Sequence, residues 1–210
     1  MSLLIKNGRI VDPIKGTDEI LDLLVEYGKI TEISKNIRKK SGSEILDATN
    51  LVVCPGFIDM HVHFREPGQE YKEDIQSGTS SAVAGGFTAV ACMANTEPVN
   101  DSSSITEKIL NKTLEVGSCK VYPIGAVSVG LKGEKLSELS DQHSAGAIAF
   151  SDDGYPIKDS FIMRSALEYS KMLGVTILDH AEDVSLSEGK VMHEGTVSTT
   201  LGLSANPDAS

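Results

Sequence analysis

The sequence predicts an α/β chain in which a small all-β unit precedes the first part of a (β/α)8 TIM-type barrel, about five strands of it. Three observations predict this. Short strand-like runs fill residues 1–55 and give way, after Cys54-Pro55-Gly56, to strands alternating with helices over residues 56–210. The strands of the second part are near-continuous apolar runs, as expected where helices cover both faces of a parallel sheet. Three of those strands end in histidine or aspartate, and a barrel gathers all such ends on one rim. An open doubly wound sheet satisfies the first two observations; the third favours the barrel.

In the first part, Leu3–Ile5 leads into Asn7-Gly8, a hairpin-turn signal, and then Arg9–Val11. Leu21–Glu26 is followed by Tyr27-Gly28 and then Lys29–Ile33, with further short runs at Glu44–Asp47 and Leu51–Val53. In the second part Phe57–His63 is a strand, and Tyr71–Ala84 a helix that Gly85-Gly86 ends. Phe87–Met93 is the next strand, followed by a helix over Ser102–Val116 that Asp101 or a neighbouring serine caps. Lys120–Val127 is a strand, Leu136–Gln142 a helix, Ala147–Asp152 a strand, Asp159–Leu173 a strongly patterned helix and Val175–His180 the fifth strand. Ser198–Ser210 reads as a polar tail. A closed barrel needs eight strands and roughly 250 residues, so the expectation is an incomplete barrel and a chain that is a fragment of a longer protein.

Composition narrows the function classes. A hydrophobic fraction of 40% and a mean hydropathy of −0.07 are those of a globular domain. A net charge of −11 argues against a nucleic-acid partner, which needs a clustered basic face; the one basic run, Lys35–Lys40, reads as a solvated loop or strand end. No apolar run reaches the ~18 residues of a membrane span, and the start has no signal-peptide pattern. Cys54, Cys92 and Cys119 are odd in number and widely spaced, which reads as free thiols in a reducing compartment, the cytoplasm.

The chemistry centres on Asp59-Met60-His61-Val62-His63-Phe64-Arg65. Alternating strand side chains put His61 and His63 on one face, where two imidazoles can bind one divalent metal. Arg65 keeps that parity and could fork onto a substrate carboxylate. Ser151-Asp152-Asp153-Gly154 follows the fourth strand and His180 ends the fifth. Alone, the Asp-Asp-Gly segment is as readily a turn, and His180 a core histidine; their recurrence on one rim makes them ligand candidates. After the second strand, Met93-Ala94-Asn95-Thr96 offers Asn95 as a donor to a substrate carboxylate or carbonyl, or as a turn residue. His143 and His193 lie off the strand ends and read as surface or loop residues.

Together these segments resemble the dihydroorotase family, the longer-chain bacterial type of amidohydrolase. The resemblance runs over essentially the whole chain, with Ile5-Lys6-Asn7-Gly8 resembling the start of the small amidohydrolase β-sandwich domain and Asp59–Gly68 the metal motif. It implies a metal-dependent hydrolase barrel using one or two Zn²⁺ ions. His61 and His63 would bind the more buried metal, Asp153 would be a ligand able to bridge two metals, and His180 would bind the second. Arg65 and Asn95 would hold the dihydroorotate carboxylate. Where the family has Met-Pro-Asn-Thr this chain has Ala94, which should loosen that loop. A further histidine ligand and the proton-shuttling aspartate are expected beyond Ser210, so this span alone should be inactive.

The implied reaction interconverts L-4,5-dihydroorotate and N-carbamoyl-L-aspartate in pyrimidine biosynthesis. The metal would supply the nucleophile and polarise the ring carbonyl. Two partner expectations accompany it: aspartate transcarbamoylase and, for the complete protein, a homo-oligomer. The alternatives are a sister cyclic amidase (allantoinase or hydantoinase), which the carboxylate clamp of Arg65 and Asn95 disfavours, and a non-catalytic homologue partnering aspartate transcarbamoylase, which His61, His63 and Asp153 disfavour.

Overall fold

The computed structural model describes residues 2–210 and divides into two compact units, Met1–Gly56 and Phe57–Ser210.

The first unit is one five-stranded sheet. Strand β1 (Ser2–Asp12) is central: it pairs antiparallel with β2 (Thr17–Glu26) and parallel with β4 (Ser43–Asp47) and β5 (Val52–Val53), while β3 (Lys29–Ser34) joins the far side of β2. Leu4, Leu24 and Ile37 form its buried cluster. Tyr27-Gly28 is the two-residue turn between β2 and β3, both residues having the positive φ (53° and 74°) that a hairpin of this hand requires.

Asn7-Gly8 is not a hairpin turn. The chain runs straight on, and the register steps from Ile5↔Leu23 to Gly8↔Leu21, three residues against two, which is a β-bulge. Asn7 does take a left-handed φ of 62°. Its backbone N–H donates to Asp22 Oδ1 at 2.9 Å and its side chain to Asp47 Oδ1 at 3.3 Å. Asp22, buried, also accepts the Ile37 N–H, so one carboxylate on the neighbouring strand satisfies the Asn7 donor that the bulge frees and anchors the segment after β3. Two lysines of the basic run, Lys35 and Lys40, pair with Glu19 and Glu26 on the surface.

The second unit carries a five-stranded all-parallel sheet in sequential order: β6 (Phe57–Val62), β7 (Phe87–Cys92), β8 (Lys120–Gly125), β9 (Ala149–Phe150) and β10 (Thr176–Ile177). Helices α1 (Ile75–Ala84), α2 (Ser103–Val116), α3 (Leu139–Ala145) and α4 (Ser160–Leu173) connect them. This is the expected run of β/α units, part of a barrel. Asp74 caps α1 by accepting the Ser77 N–H at 2.7 Å, and Asp159 caps α4 by accepting the Phe161 N–H at 2.7 Å. Ser102 is the N-cap of α2 without a side-chain bond; Asp101 accepts the Gly130 N–H instead.

Helix faces meet the sheet through two buried clusters, Phe64, Ile75, Val90, Cys92, Ile109 and Val121, and Val127, Leu139, Ala147, Phe150 and Ala166. Strands β9 and β10 are shorter than their apolar runs, since each ladder lasts two residues before the chains turn to the rim. After β10 come α5 (Val184–Ser187), β11 (Met192–His193), α6 (Thr196–Leu201) and β12 (Ala205–Asn206), with β11 and β12 paired in parallel, so the segment read as a polar tail, Ser198–Ser210, holds the end of α6 and a short strand. Among the described residues no helix is long and apolar enough to cross a membrane.

Candidate metal centre

Strand β6 stops at Val62, and His61 and His63 flank its end with ring centroids 5.1 Å apart. Asp59, of the same parity, accepts the backbone N–H of His61 at 3.0 Å, a local bond near the end of the strand. Asp153 arrives from beyond β9. Its Oδ1 lies 3.2 Å from His61 Nε2 and its Oδ2 3.6 Å from His63 Nε2. One ligand atom from each of His61, His63 and Asp153 lies within 4.8 Å of the other two. Two ligands at ~2.0–2.1 Å from a tetrahedral Zn²⁺ stand roughly 3.3 Å apart. The donor types and their spacing therefore fit a divalent cation with borderline nitrogen and oxygen ligands.

Asn95, beyond β7, bridges the group. Its Oδ1 is 3.0 Å from His63 Nδ1 and its Nδ2 donates to Asp153 Oδ2 at 3.4 Å. A carboxylate accepts and does not donate, so the Asn95 amide nitrogen faces Asp153 and its oxygen faces His63. An oxygen there requires the proton on His63 Nδ1, leaving the Nε2 lone pair aimed at the centre, as a metal-binding imidazole needs.

The two adjacent aspartates divide. Asp152 is buried: its Oδ1 accepts the N–H groups of Val127 and Ser128 at 2.8 and 2.9 Å, and its Oδ2 accepts the Ser128 hydroxyl. Burial raises its carboxyl pKa above the ordinary range, and the three donors only partly offset this. Asp152 thus ties β9 to the loop after β8, and Asp153 faces the imidazoles.

Arg65 follows the strand with a left-handed φ of 59°, which costs a residue with a Cβ about 1 kcal/mol. Among the described residues no carboxylate pairs with its guanidinium. Its loop is locked to that of Asn95. Glu97 N–H donates to Pro67 O at 2.8 Å, and a Cβ on Gly68, at φ 98°, would lie 1.8 Å from Glu97 O, so only glycine permits the approach. The Asn95 loop, expected to be loose at Ala94, is pinned: Ala94 is buried, and its carbonyl accepts the N–H groups of Thr96 and Asn100, both at 2.9 Å.

His180 follows β10 on the same edge of the sheet but stands outside the His61–His63–Asp153 group. Its Nε2 is 3.2 Å from Glu182 Oε2. The Ser187 hydroxyl first, and His180 second, hold the Glu182 carboxyl below its usual range. His143 contacts Ala147 O, and the exposed His193 pairs with Asp208, both apart from the centre. The sequence offered Asp152 with Asp153 as a ligand candidate and gave no role to Asp59, Ser128, Ser151 or Glu182; for Asp59, Ser151 and Glu182 the available signal was their spacing of two residues from His61, Asp153 and His180.

The family model described as Dihydro-orotase-like matches residues 50–209. A dihydroorotase from Geobacter metallireducens is 53% identical over 207 residues, which are 99% of this chain and 49% of that protein. The chain thus spans about half the length of the curated relatives it matches. Among solved structures, the L-hydantoinase (dihydropyrimidinase) of Arthrobacter aurescens superposes with a TM-score of 0.76 at 21% identity, covering 88% of this chain and 41% of that one. A D-hydantoinase superposes with a TM-score of 0.71 at 27% identity, covering 89% and 41%.

Proposed function

The chain belongs to the Dihydro-orotase-like family, and from that premise we propose that it contributes to a dihydroorotase, which hydrolyses L-4,5-dihydroorotate reversibly to N-carbamoyl-L-aspartate in cytoplasmic pyrimidine (UMP) biosynthesis. The observation that carries this reading is the convergence of His61, His63 and Asp153 at the end of a strand that Arg65 follows two residues after His63.

In this reading His61 Nε2, His63 Nε2 and the Asp153 carboxylate hold Zn²⁺, and His180 serves a second cation. When bound, the metal supplies Lewis acidity and a nucleophile active near neutral pH. Asn95 keeps the His63 proton on Nδ1 and lies within reach of the substrate. The Arg65 guanidinium takes the substrate carboxylate in a forked contact. Because the chain's net charge is −11, this arginine and the cation must create a local positive field against the whole. Association with aspartate transcarbamoylase, and with further copies of the protein, belongs to the same proposal and is tested by sizing chromatography of the mixed and single proteins.

The test is made on the complete protein: metal content by mass spectrometry and turnover of dihydroorotate, with Arg65→Lys beside the parent. Losing the fork while keeping the charge should lower kcat/KM by about tenfold or more with metal content unchanged. Unaltered kinetics would remove Arg65 from the substrate site. The solved neighbours favour one second reading, a hydantoinase-type cyclic amidase. Preferential turnover of hydantoin or dihydropyrimidine over dihydroorotate would establish it.

A further inference from the structure

We propose that Ser151 is a positioning residue for this centre, acting as a hydroxyl tether that sets the carboxylate arm of Asp153 against the end of strand β10. The proposal rests on the metal reading above and adds to it a residue outside the ligand set.

Ser151 is 2% exposed and lies between β9 and Asp153. Its Oγ accepts the backbone N–H of Asp153 at 3.1 Å and donates its own proton to Leu178 O at 2.8 Å. The hydroxyl therefore sits in the middle of a relay, N–H to O–H to C=O, in which each bond polarises the next. One end of the relay is the residue whose carboxylate faces His61 and His63; the other is two residues ahead of His180. The β9–β10 ladder consists of two residue pairs, Ala149 with Thr176 and Phe150 with Ile177. Beyond it the backbone adds Leu178 N–H to Phe150 O at 2.9 Å. The next link outward is the Ser151 hydroxyl. Asp152 anchors the other side of the segment to the Val127–Ser128 loop.

A metal site tolerates errors of about ±0.2 Å in ligand position. Deleting a tether that fixes the backbone under one ligand should therefore weaken metal binding more than it weakens the fold. The same deletion at an equally internal hydroxyl elsewhere should do the reverse. Ser137 supplies that comparison: it is buried, accepts from Gln142 Nε2 at 2.8 Å and donates to Ala126 O, away from the ligands.

The experiment uses the complete protein, stripped of metal and titrated with Zn²⁺ against a chromogenic chelator, and measures the thermal midpoint of the metal-free form. Ser151→Ala should lower Zn²⁺ affinity by about 10–100-fold, the range found when outer contacts of metal ligands are removed. Ser137→Ala should stay within about twofold of the parent in affinity while losing at least as much metal-free thermal stability. Ser151→Thr, which keeps the hydroxyl, should retain affinity within about threefold. Parental affinity in a folded Ser151→Ala protein would overturn the proposal, as would a folded Ser151→Thr protein as weak as the alanine variant. If the parent itself takes up no divalent metal, the metal reading fails and this proposal falls with it; a parent that binds normally isolates the failure to Ser151.

Discussion

Replacing Asp152 by alanine should destabilise the second unit by about 3–4 kcal/mol. Its carboxylate satisfies three donors: the backbone N–H groups of Val127 and Ser128, both residues with no exposed surface, and the Ser128 hydroxyl. Alanine would orphan all three, and each buried orphan costs roughly 1–3 kcal/mol. Against this stands the relief of removing a buried carboxyl, whose raised pKa shows that burial works against its charged form. Taking about 1.5 kcal/mol per donor and returning about 1 kcal/mol for the relief leaves a net loss of about 3–4 kcal/mol.

Asparagine is the discriminating variant, since its Oδ1 keeps both backbone bonds and only the Ser128 hydroxyl loses its acceptor; its cost should be about 1–2 kcal/mol. The assay is urea unfolding with chelator present, followed by circular dichroism at 222 nm. Helices α1 to α6 all lie within Phe57–Ser210, so this signal reports the second unit. An alanine variant within about 1 kcal/mol of the parent, or an asparagine variant as costly as alanine, would refute the assignment of Asp152 as an internal anchor.

Other measurements follow from the same contacts. A Cβ at position 78 would lie 2.5 Å from the Phe64 ring, which is itself buried in the α1–sheet core, so Gly78→Ala should overpack that core and cost about 1–3 kcal/mol in the same urea assay; a neutral result would mean the ring can retreat. Burial pushes the Cys92 thiol up to about 12 while Cys54 is exposed, so a thiol-specific dye at neutral pH should label Cys54 rapidly and Cys92 only after denaturation, read by peptide mass. The Ser77 N–H first, and the Ser77 hydroxyl second, hold the Asp74 carboxyl below its usual range. Its stabilising share is complete above the ordinary aspartate value of about 3.9 and is lost as pH falls through the lowered folded value. Asp74→Asn keeps a cap acceptor and removes that titration, so the gap between parent and variant should close in acid; a pH-independent gap would refute the assignment.

The β/α alternation was legible because helix-covered parallel strands must be apolar throughout, and the facing of His61 and His63 because strand parity is local. What a linear pattern cannot carry is which distant group meets a residue. Asn7-Gly8 announces a positive φ, and Asn7 has one, but Asp22 and Asp47 on neighbouring strands make it a bulge and not a reversal. The Asp-Asp-Gly segment is similar. Two identical side chains are distinguished only by what surrounds them, the Val127–Ser128 amides for one and two imidazoles for the other. Strands β9 and β10 are shorter than their sequences suggest because the ladder stops at two pairs, and the residues that follow bond through side chains instead, Ser151 to Leu178 O and Asp152 to the Val127 and Ser128 N–H groups.

The seam between Gly68 and Glu97 bears on how selectivity in this site can be altered. The segments bearing Arg65 and Asn95 lie on different βα loops, yet the Glu97 to Pro67 bond and an approach that admits no side chain at position 68 make them one inherited cassette. A loop transplanted from a relative with another residue at position 68, or another backbone path at 97, would arrive without its counterpart. On the proposed reading of Arg65 and Asn95 as the carboxylate clamp, redesign toward a substrate lacking a carboxylate should therefore exchange both loops together, or keep both backbones and vary only the side chains at 65 and 95.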